Sequence, residues 1–371
     1  MNIIMKKSMI LPVIIAVALS LTGCGPDSAG KKRAETTLAE SSEDAAQAAA
    51  DATQSGSREP ELVFKYGEVN PEENIIARVG LKFAEYVDQL SDGRIKIEVY
   101  PNDALGDEKY SLHVLQRGGG QVDMYRGNTS QLTGYGFRNL NLFGLPYIFE
   151  SREGMWRVLE DEELGRAFLS EGSEIGAGMV GLFYTDEGPR NLFTSREIKG
   201  LEDIRNKKIR VQESVLMMDT ISALGAQPVP MPYSEVYEAI ETGVVDGAEN
   251  PLPAYISSRF YEVAPYYLLS QHVFSPGIVL MAEEKWNALS EEDKNILLEA
   301  GRMASQWNKE QIEAEEEALR RQLDELGVVV IEMSPEEMEK AKEEEEIVRT
   351  SFTPGLEDVL DRIIEVQNAQ E

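Results

Sequence analysis

Leu62-Val63-Phe64-Lys65-Tyr66-Gly67 opens the stretch of sequence that decides the fold. It is a short apolar run that stops at a glycine, and it predicts a strand. Ile76, Val79, Phe83, Val87 and Leu90 then recur at helical spacing, and Asp92-Gly93 turns the chain. Ile95, Ile97 and Val99 alternate with Lys96 and Glu98 in a second strand that stops at Pro101. Asp107 is placed to cap a helix through Leu115, Gly118-Gly119-Gly120 ends it, and Val122 to Tyr125 reads as a third strand. Strand–helix–strand at this pace predicts a mostly parallel sheet with helices on its faces, an α/β fold.

The same rhythm returns further along. Met179 to Tyr184 and Lys208 to Val211 read as strands, Ser234 to Thr242 as a helix closed by Gly243, and Val328 to Ile331 as a strand between helices. Ser290-Glu291-Glu292-Asp293 and Ser334-Pro335-Glu336-Glu337 each start a helical run. The second is a capping box with proline at the first helical position. With 371 residues, 42 % of them hydrophobic, the chain can bury a large core and is too long for one ordinary domain.

Composition excludes several classes of function. A formal net charge of −30 gives no electrostatic footprint for nucleic acid, whose phosphates such a chain repels. Cys24 is the single cysteine, so there is no internal disulfide and no thiolate framework for zinc or iron–sulfur. His113 and His272 sit in no metal-ligand spacing and read as structural or surface residues. No nucleophile elbow, zinc motif or phosphate loop appears, and no metal or cofactor is expected.

The N-terminus reads as an address and an anchor. Lys6 and Lys7 precede an apolar run from Met9 to Leu21, too short to span a bilayer comfortably and suited to a signal peptide. Leu21-Thr22-Gly23-Cys24 follows at once and resembles the bacterial lipobox, in which cleavage before the cysteine leaves its sulfur carrying lipid. Residues 1–23 are therefore expected to be a lipoprotein leader. Their loss removes two lysines and no acid, taking −30 to −32. Residues 24–60, rich in Ala, Ser, Glu, Gln and Asp, read as lipidated Cys24 and a flexible tether that holds the body at the membrane.

A block further on carries a specific resemblance. Ile198 to Gln212 reads Ile-Lys-Gly-Leu-Glu-Asp-Ile-Arg-Asn-Lys-Lys-Ile-Arg-Val-Gln, and Ala223 to Tyr237 reads Ala-Leu-Gly-Ala-Gln-Pro-Val-Pro-Met-Pro-Tyr-Ser-Glu-Val-Tyr. Thr242 to Pro251 reads Thr-Gly-Val-Val-Asp-Gly-Ala-Glu-Asn-Pro, followed by Tyr261 to Tyr266, Tyr-Glu-Val-Ala-Pro-Tyr. Together with the turn at Pro101 to Gly106 and Leu145-Pro146-Tyr147-Ile148-Phe149, this resembles the extracytoplasmic solute-binding proteins of the TRAP transporters, the family of the C4-dicarboxylate- and sialic-acid-binding proteins. The likeness runs from about residue 62 to at least 290. It implies a periplasmic-binding-protein-like fold with two α/β lobes, a ligand cleft between them and a long bracing helix. Lobe one is placed at 61–187 plus 276–315, and lobe two at 188–275 plus 316–371.

The resemblance also implies a site. Arg210, from the Lys-Ile-Arg strand, is expected to grip a ligand carboxylate with both prongs of its guanidinium, which a lysine's point charge cannot do. Arg190, in Gly188-Pro189-Arg190-Asn191, is the candidate second arginine, and Asn250 is expected to hydrogen-bond the same carboxylate. Arg126 and Asn128 follow a lobe-one strand and are candidates for the polar end of the ligand. Gln212 shares a strand face with Arg210. Glu68 and Asn70, after the first strand, could meet hydroxyls. Arg126 and Gln212 depart from the simpler dicarboxylate binders and hint at a sugar acid. Asp246 and Gly247 read as turn formers, and Tyr184, Tyr233 and Tyr237 as packing. The expected partners are a small organic acid and the TRAP membrane subunits. Two other readings are weighed. A co-receptor for a sensor kinase would be betrayed by a neighbouring kinase gene. A glycosidase using two carboxylates would be betrayed by turnover of the ligand.

Overall fold

The computed structural model describes residues 59–369; the expected leader, Cys24 and the tether up to residue 58 lie outside them. Two sheets organise the described residues. The first is built from β1 (Leu62–Gly67), β2 (Ile95–Tyr100), β3 (Met124–Asn128), β4 (Met179–Thr185) and β10 (Gly277–Ala282), in the order β2-β1-β3-β10-β4. The second takes β5 (Arg190–Thr194), β6 (Lys208–Val211), β7 (Gln227–Pro230), β8 (Gly247–Pro251), β9 (Tyr266–Val273) and β11 (Val329–Glu332), in the order β11-β9-β5-β8-β6-β7. Helices of nine residues or more are α1 (Ile75–Leu90), α2 (Glu108–Gln116), α3 (Arg152–Glu160), α4 (Val215–Ala223), α5 (Glu291–Gln322), α6 (Pro335–Phe352) and α7 (Glu357–Gln367).

The opening stretch folds as its pattern predicts. β1 runs parallel to β2, with Leu62 opposite Ile95 and Gly67 opposite Tyr100. Asn74 caps α1 by accepting from the Ile76 N–H, and Asp107 caps α2 by accepting from the Tyr110 N–H. Val79, Phe83 and Val87 of α1 are fully buried against Phe64 and Tyr66. Each side chain of this size stabilises the fold by about 2–3 kcal/mol. The third strand starts at Met124, two residues later than its apolar pattern suggests. The Asp123 carboxylate accepts the Lys65 N–H at 3.0 Å in place of a backbone carbonyl.

The expectation of mostly parallel sheets needs correction, because both sheets are mixed. β10 lies antiparallel to β3 and β4, and β5 antiparallel to β8 and β9. The reason is the path of the chain. Residues 186–189 carry it directly from β4 to β5, and residues 274–276 from β9 to β10. A strand entered from the other sheet has no crossover helix to return it to the parallel starting end.

α5 braces the structure. Ser290 caps it, acids fill its first turn, and Arg320 and Arg321 occupy its last, each matching the helix dipole. Its inner stripe, Leu297, Ala300, Gly301, Ala304, Asn308 and Ile312, is buried. Gly301 is required there: a Cβ would stand 2.5 Å from the Phe183 ring on β4. Asn308 accepts the Asp186 N–H at 2.5 Å and donates to the Asp186 carbonyl, so α5 grips the first crossover. Arg152 of α3 bonds Asp186 at 2.6 Å and Glu316 of α5 at 2.7 Å, with its guanidinium over Phe274 of the second crossover.

α6 has the predicted capping box between Ser334 and Glu337. α7 lies against α3, where Gln367 donates to the Ile148 carbonyl and Arg157 to the Gln367 carbonyl. The last helix therefore packs with the first sheet's helices, whereas a boundary of 316–371 groups it with the second.

Glu345 of α6 is fully buried, and neither carboxylate oxygen has a hydrogen-bond partner. Burial, reinforced by Glu344 and opposed by Arg349, pushes its pKa up to about 9. A folded-state value above the unfolded one costs stability as pH rises between the two, since ionisation is suppressed only in the fold. Glu345→Met is expected to stabilise the protein by about 1–2 kcal/mol at pH 7, and by less at pH 4.5. Urea denaturation at the two pH values checks this.

Candidate functional site

Strand ends of both sheets converge on one cavity. β3 supplies Arg126 and Asn128, β5 starts at Arg190, β6 carries Arg210 with Gln212 just beyond it, and β8 carries Asn250. The space between them is small, about 30 Å³ as measured by the centre of a water-sized sphere. The strand pairing aligns these groups: Asn250 faces Asn191 across β5–β8, and Arg210 sits level with Ala248 across β6–β8. Open α/β sheets bind their ligands at strand ends of this kind.

Three arginines meet here, all nearly inaccessible, and they differ in their partners. Arg126 bonds both oxygens of Glu68, with Nε to Oε2 at 2.8 Å, and reaches Glu187 at 2.5 Å. Glu187 also accepts from Asn128 at 3.0 Å. Arg190 is paired to both oxygens of Glu249, and its Nη2 also donates to the Asn250 Oδ1 at 3.0 Å. Arg210 bonds no carboxylate. Its Nε and Nη2 donate to the Met231 carbonyl at 3.1 and 2.7 Å, and its guanidinium lies 5.8 Å from the centre of the Tyr233 ring.

The electrostatics follow from those partners. Burial works against the charge of each guanidinium. Glu68 and Glu187 outweigh it for Arg126, and Glu249 outweighs it for Arg190, so both are held above the ordinary arginine value. Arg210 alone is pulled below it, chiefly by burial, with Glu108 and Glu249 opposing too weakly. Beside it one donor is unsatisfied: the Nδ2 of Asn250 is buried without a hydrogen-bond partner. A buried cation without an anion, beside an unpaired amide N–H, can accept a carboxylate.

The sequence-predicted residues divide clearly. Arg210, Arg190, Asn250, Arg126, Asn128, Gln212 and Asn70 all line the cavity. Glu68 does not: Arg126 and the backbone and side-chain N–H groups of Asn70, both at 2.8 Å, occupy its carboxylate. Tyr233 packs in the core as expected and lines the cavity as well. Glu108, Glu187 and Gln131 were not anticipated. Glu187 lies in a crossover that no periodic pattern marks. Glu108 occupies the first turn of α2, where an acid is already explained by the helix dipole. Several bonds cross from one sheet's side to the other. Gln131 donates to Gln212 at 2.9 Å, Asn74 to Ser257 at 3.0 Å, and Lys109 pairs with Glu213 at 3.1 Å.

Two mixed sheets, joined by two crossovers and braced by a long helix, thus hold the three buried arginines between them. The model of the bacterial extracellular solute-binding protein, family 7, matches residues 66–353, and the chain belongs to that family. A solute-binding protein from Roseobacter denitrificans is 35 % identical over 253 residues, covering 67 % of this chain and 75 % of that one. Its crystal structure with bound L-galactonate superposes with a TM-score of 0.76, covering 83 % of this chain and 100 % of that one at 31 % identity. A TRAP periplasmic solute-binding protein from Pseudomonas putida F1 with bound D-glucuronate gives a TM-score of 0.78 at 27 % identity, covering 83 % of this chain and 98 % of that one. The C4-dicarboxylate-binding periplasmic protein of Rhodobacter capsulatus is 31 % identical over 228 residues, 62 % of this chain and 67 % of its own. The chain is thus an extracytoplasmic TRAP-type solute-binding protein and not an enzyme.

Proposed function

We propose that the protein captures a sugar acid, an aldonate or uronate, and passes it to TRAP membrane subunits. The observation that carries this reading is Arg210, a guanidinium 1 % exposed that bonds a carbonyl and no carboxylate. The ligand carboxylate pairs with Arg210 and accepts from Asn250 Nδ2. The amides of Asn70, Asn128 and Gln212 serve its hydroxyls, and Arg190 and Arg126 shape the cavity with the glutamates that hold them. The sugar acids bound by the Roseobacter and Pseudomonas relatives support the class. The net charge of −30 does not oppose it, since screening over about 8 Å leaves the local arginines in control.

A group so deeply buried is reached only if the two sheets' sides part, so capture needs opening and release needs reopening. Residues 186–189 and 274–276 are the hinges in this reading. The lobes divide as 61–187 with 276–315 and 188–275 with 316–371, except that α7 sides with lobe one. Cys24 anchors the protein outside the cytoplasmic membrane through the tether.

A thermal-shift screen tests the ligand class. At a hundredfold excess over Kd, a ligand that binds only the fold adds about 2.7 kcal/mol, a rise of about 5 °C in Tm. D-galactonate or D-glucuronate is expected to give it. Shifts confined to neutral sugars, or none with any acid, would refute the carboxylate reading.

A further inference from the structure

We infer that the groove beside the arginine cavity is a subsite for a second sugar ring, so that the protein takes disaccharide acids: the acid end lies at Arg210 and a neutral ring lies outside it. The inference deepens the proposed function and rests on its reading of Arg210 as the partner of the ligand's carboxylate.

Two spaces adjoin. The inner one, among the arginines, measures about 30 Å³, and the outer one about 230 Å³ on the same scale. One water needs about 10–15 Å³ on that scale, so the inner space has room for a carboxylate and the carbons next to it and little else. Whatever is joined to them continues outward. Glu108 and Gln131 line both spaces and mark where they meet. Another neighbouring space, of about 270 Å³, shares only Val69 and Tyr233 with the inner one. There the Tyr233 ring stands as a wall, held by a 2.7 Å bond between its hydroxyl and Ser258 and by the Arg210 guanidinium over its face.

Three elements build the outer groove. Lys109, Leu112, His113 and Gln116 fall at helical spacing on one face of α2. Gly134 and Tyr135 end the 3-10 helix Thr129–Tyr135, and Glu213 lies just beyond β6. Lys109 and Glu213 pair with each other at 3.1 Å, so these two charges cancel at the rim. Three polar groups of the groove remain uncommitted. The His113 Nδ1–H donates to the Lys109 carbonyl at 2.7 Å, which leaves Nε2 as an acceptor. The Tyr135 hydroxyl and the Gln116 side-chain amide have no partner among the described residues. The half-buried Tyr135 ring meets the His113 ring edge to face, with centroids 5.7 Å apart. An aromatic surface with a few donors and acceptors around it suits a neutral pyranose, whose C–H face lies on the ring while its hydroxyls reach the polar groups. A second acid group finds no uncommitted cation there.

Calorimetric titration of the purified protein with lactobionate, a galactosyl gluconate, and with D-gluconate, its acid half, tests this. Lactobionate is expected to bind at least about tenfold more tightly, the effect of two or three further hydrogen bonds. A Cβ at Gly134 meets no atom within 4 Å, so Gly134→Phe can set a ring in the groove. It is expected to erase the advantage of lactobionate and to leave D-gluconate within about twofold. Gln116→Ala, at an exposed position of α2, guards against a folding defect in the first variant and is expected to weaken lactobionate alone, by about threefold or more. Binding of D-gluconate, D-galactonate or D-glucuronate without tighter binding of lactobionate overturns the inference and leaves the proposed function standing. Variants that change both acids alike, or neither, overturn it as well. Failure of every acid to bind sinks the proposed function and this inference together.

Discussion

Arg210→Met is expected to abolish measurable sugar-acid binding and, at the same time, to raise the melting temperature of the ligand-free protein. The two effects have one cause. The guanidinium is 1 % exposed, its only hydrogen-bond acceptor is the Met231 carbonyl, and burial holds its pKa below the ordinary value. It is a charge taken out of water without an anion. Removing one partner of a desolvated charge pair costs about 2–5 kcal/mol of binding, roughly 30- to 4000-fold in Kd. In the absence of ligand there is no pair to break. An apolar side chain of similar length then relieves a buried charge that has no anion, and that relief is expected to outweigh the lost hydrogen bonds to the Met231 carbonyl. Calorimetry and thermal denaturation on the same preparation separate the outcomes. Lost binding with a higher Tm is the expected result. Lost binding with a Tm several degrees lower would mean that Arg210 holds up the fold, and the binding loss would then say nothing about the carboxylate. Retained binding would move the anion to another arginine.

Arg190 and Arg126 lie in the same cavity, yet they invite a different expectation, and the difference was only partly legible in the sequence. The Lys-Ile-Arg strand, the Gly188-Pro189-Arg190-Asn191 segment and the Gly-Ala-Glu-Asn-Pro segment pointed to Arg210, Arg190 and Asn250 in turn. The alternation at Ile95, Ile97 and Val99 and the caps at Asp107, Ser290 and Ser334 located the elements around them. These signals are local, and the structure meets them within two residues at β3. What stayed hidden depends on contacts between distant residues. Nothing near Glu68 says that Arg126, 58 positions on, takes its carboxylate away from the ligand. Nothing near Glu108 separates an acid that suits a helix dipole from one that faces a cavity. The antiparallel strands were hidden for the same reason, since local pattern does not record whether a chain returns to its own sheet or crosses to another.

Glu249→Ala follows from that long-range pairing and should be the most destabilising of these changes. Glu249 is fully buried on β8 and bonds both Nε and Nη2 of Arg190, which is itself 3 % exposed. Cutting away the carboxylate leaves a guanidinium with only the Glu249 carbonyl and the Asn250 side-chain oxygen, both on Nη2. A buried pair broken on one side costs about 3–5 kcal/mol. In a protein of this size that corresponds to a fall in Tm of roughly 5–8 °C. The double change Glu249→Ala with Arg190→Met removes both charges and is expected to recover much of the loss, because the penalty belongs to the orphaned cation. The pH dependence gives an independent check. Burial opposes the Glu249 charge, but Arg190 and His272 outweigh it and hold the carboxyl below its ordinary value. A lowered folded-state value gives stability that is present above the unfolded pKa of about 4.3 and is lost as pH falls through the folded one. The unaltered protein should therefore converge with Glu249→Ala on acidification below pH 4 and separate from it toward neutrality. A gap between them that is the same at pH 3.5 and pH 7 would place the defect in lost packing, and would leave Arg190 charged and content without its glutamate.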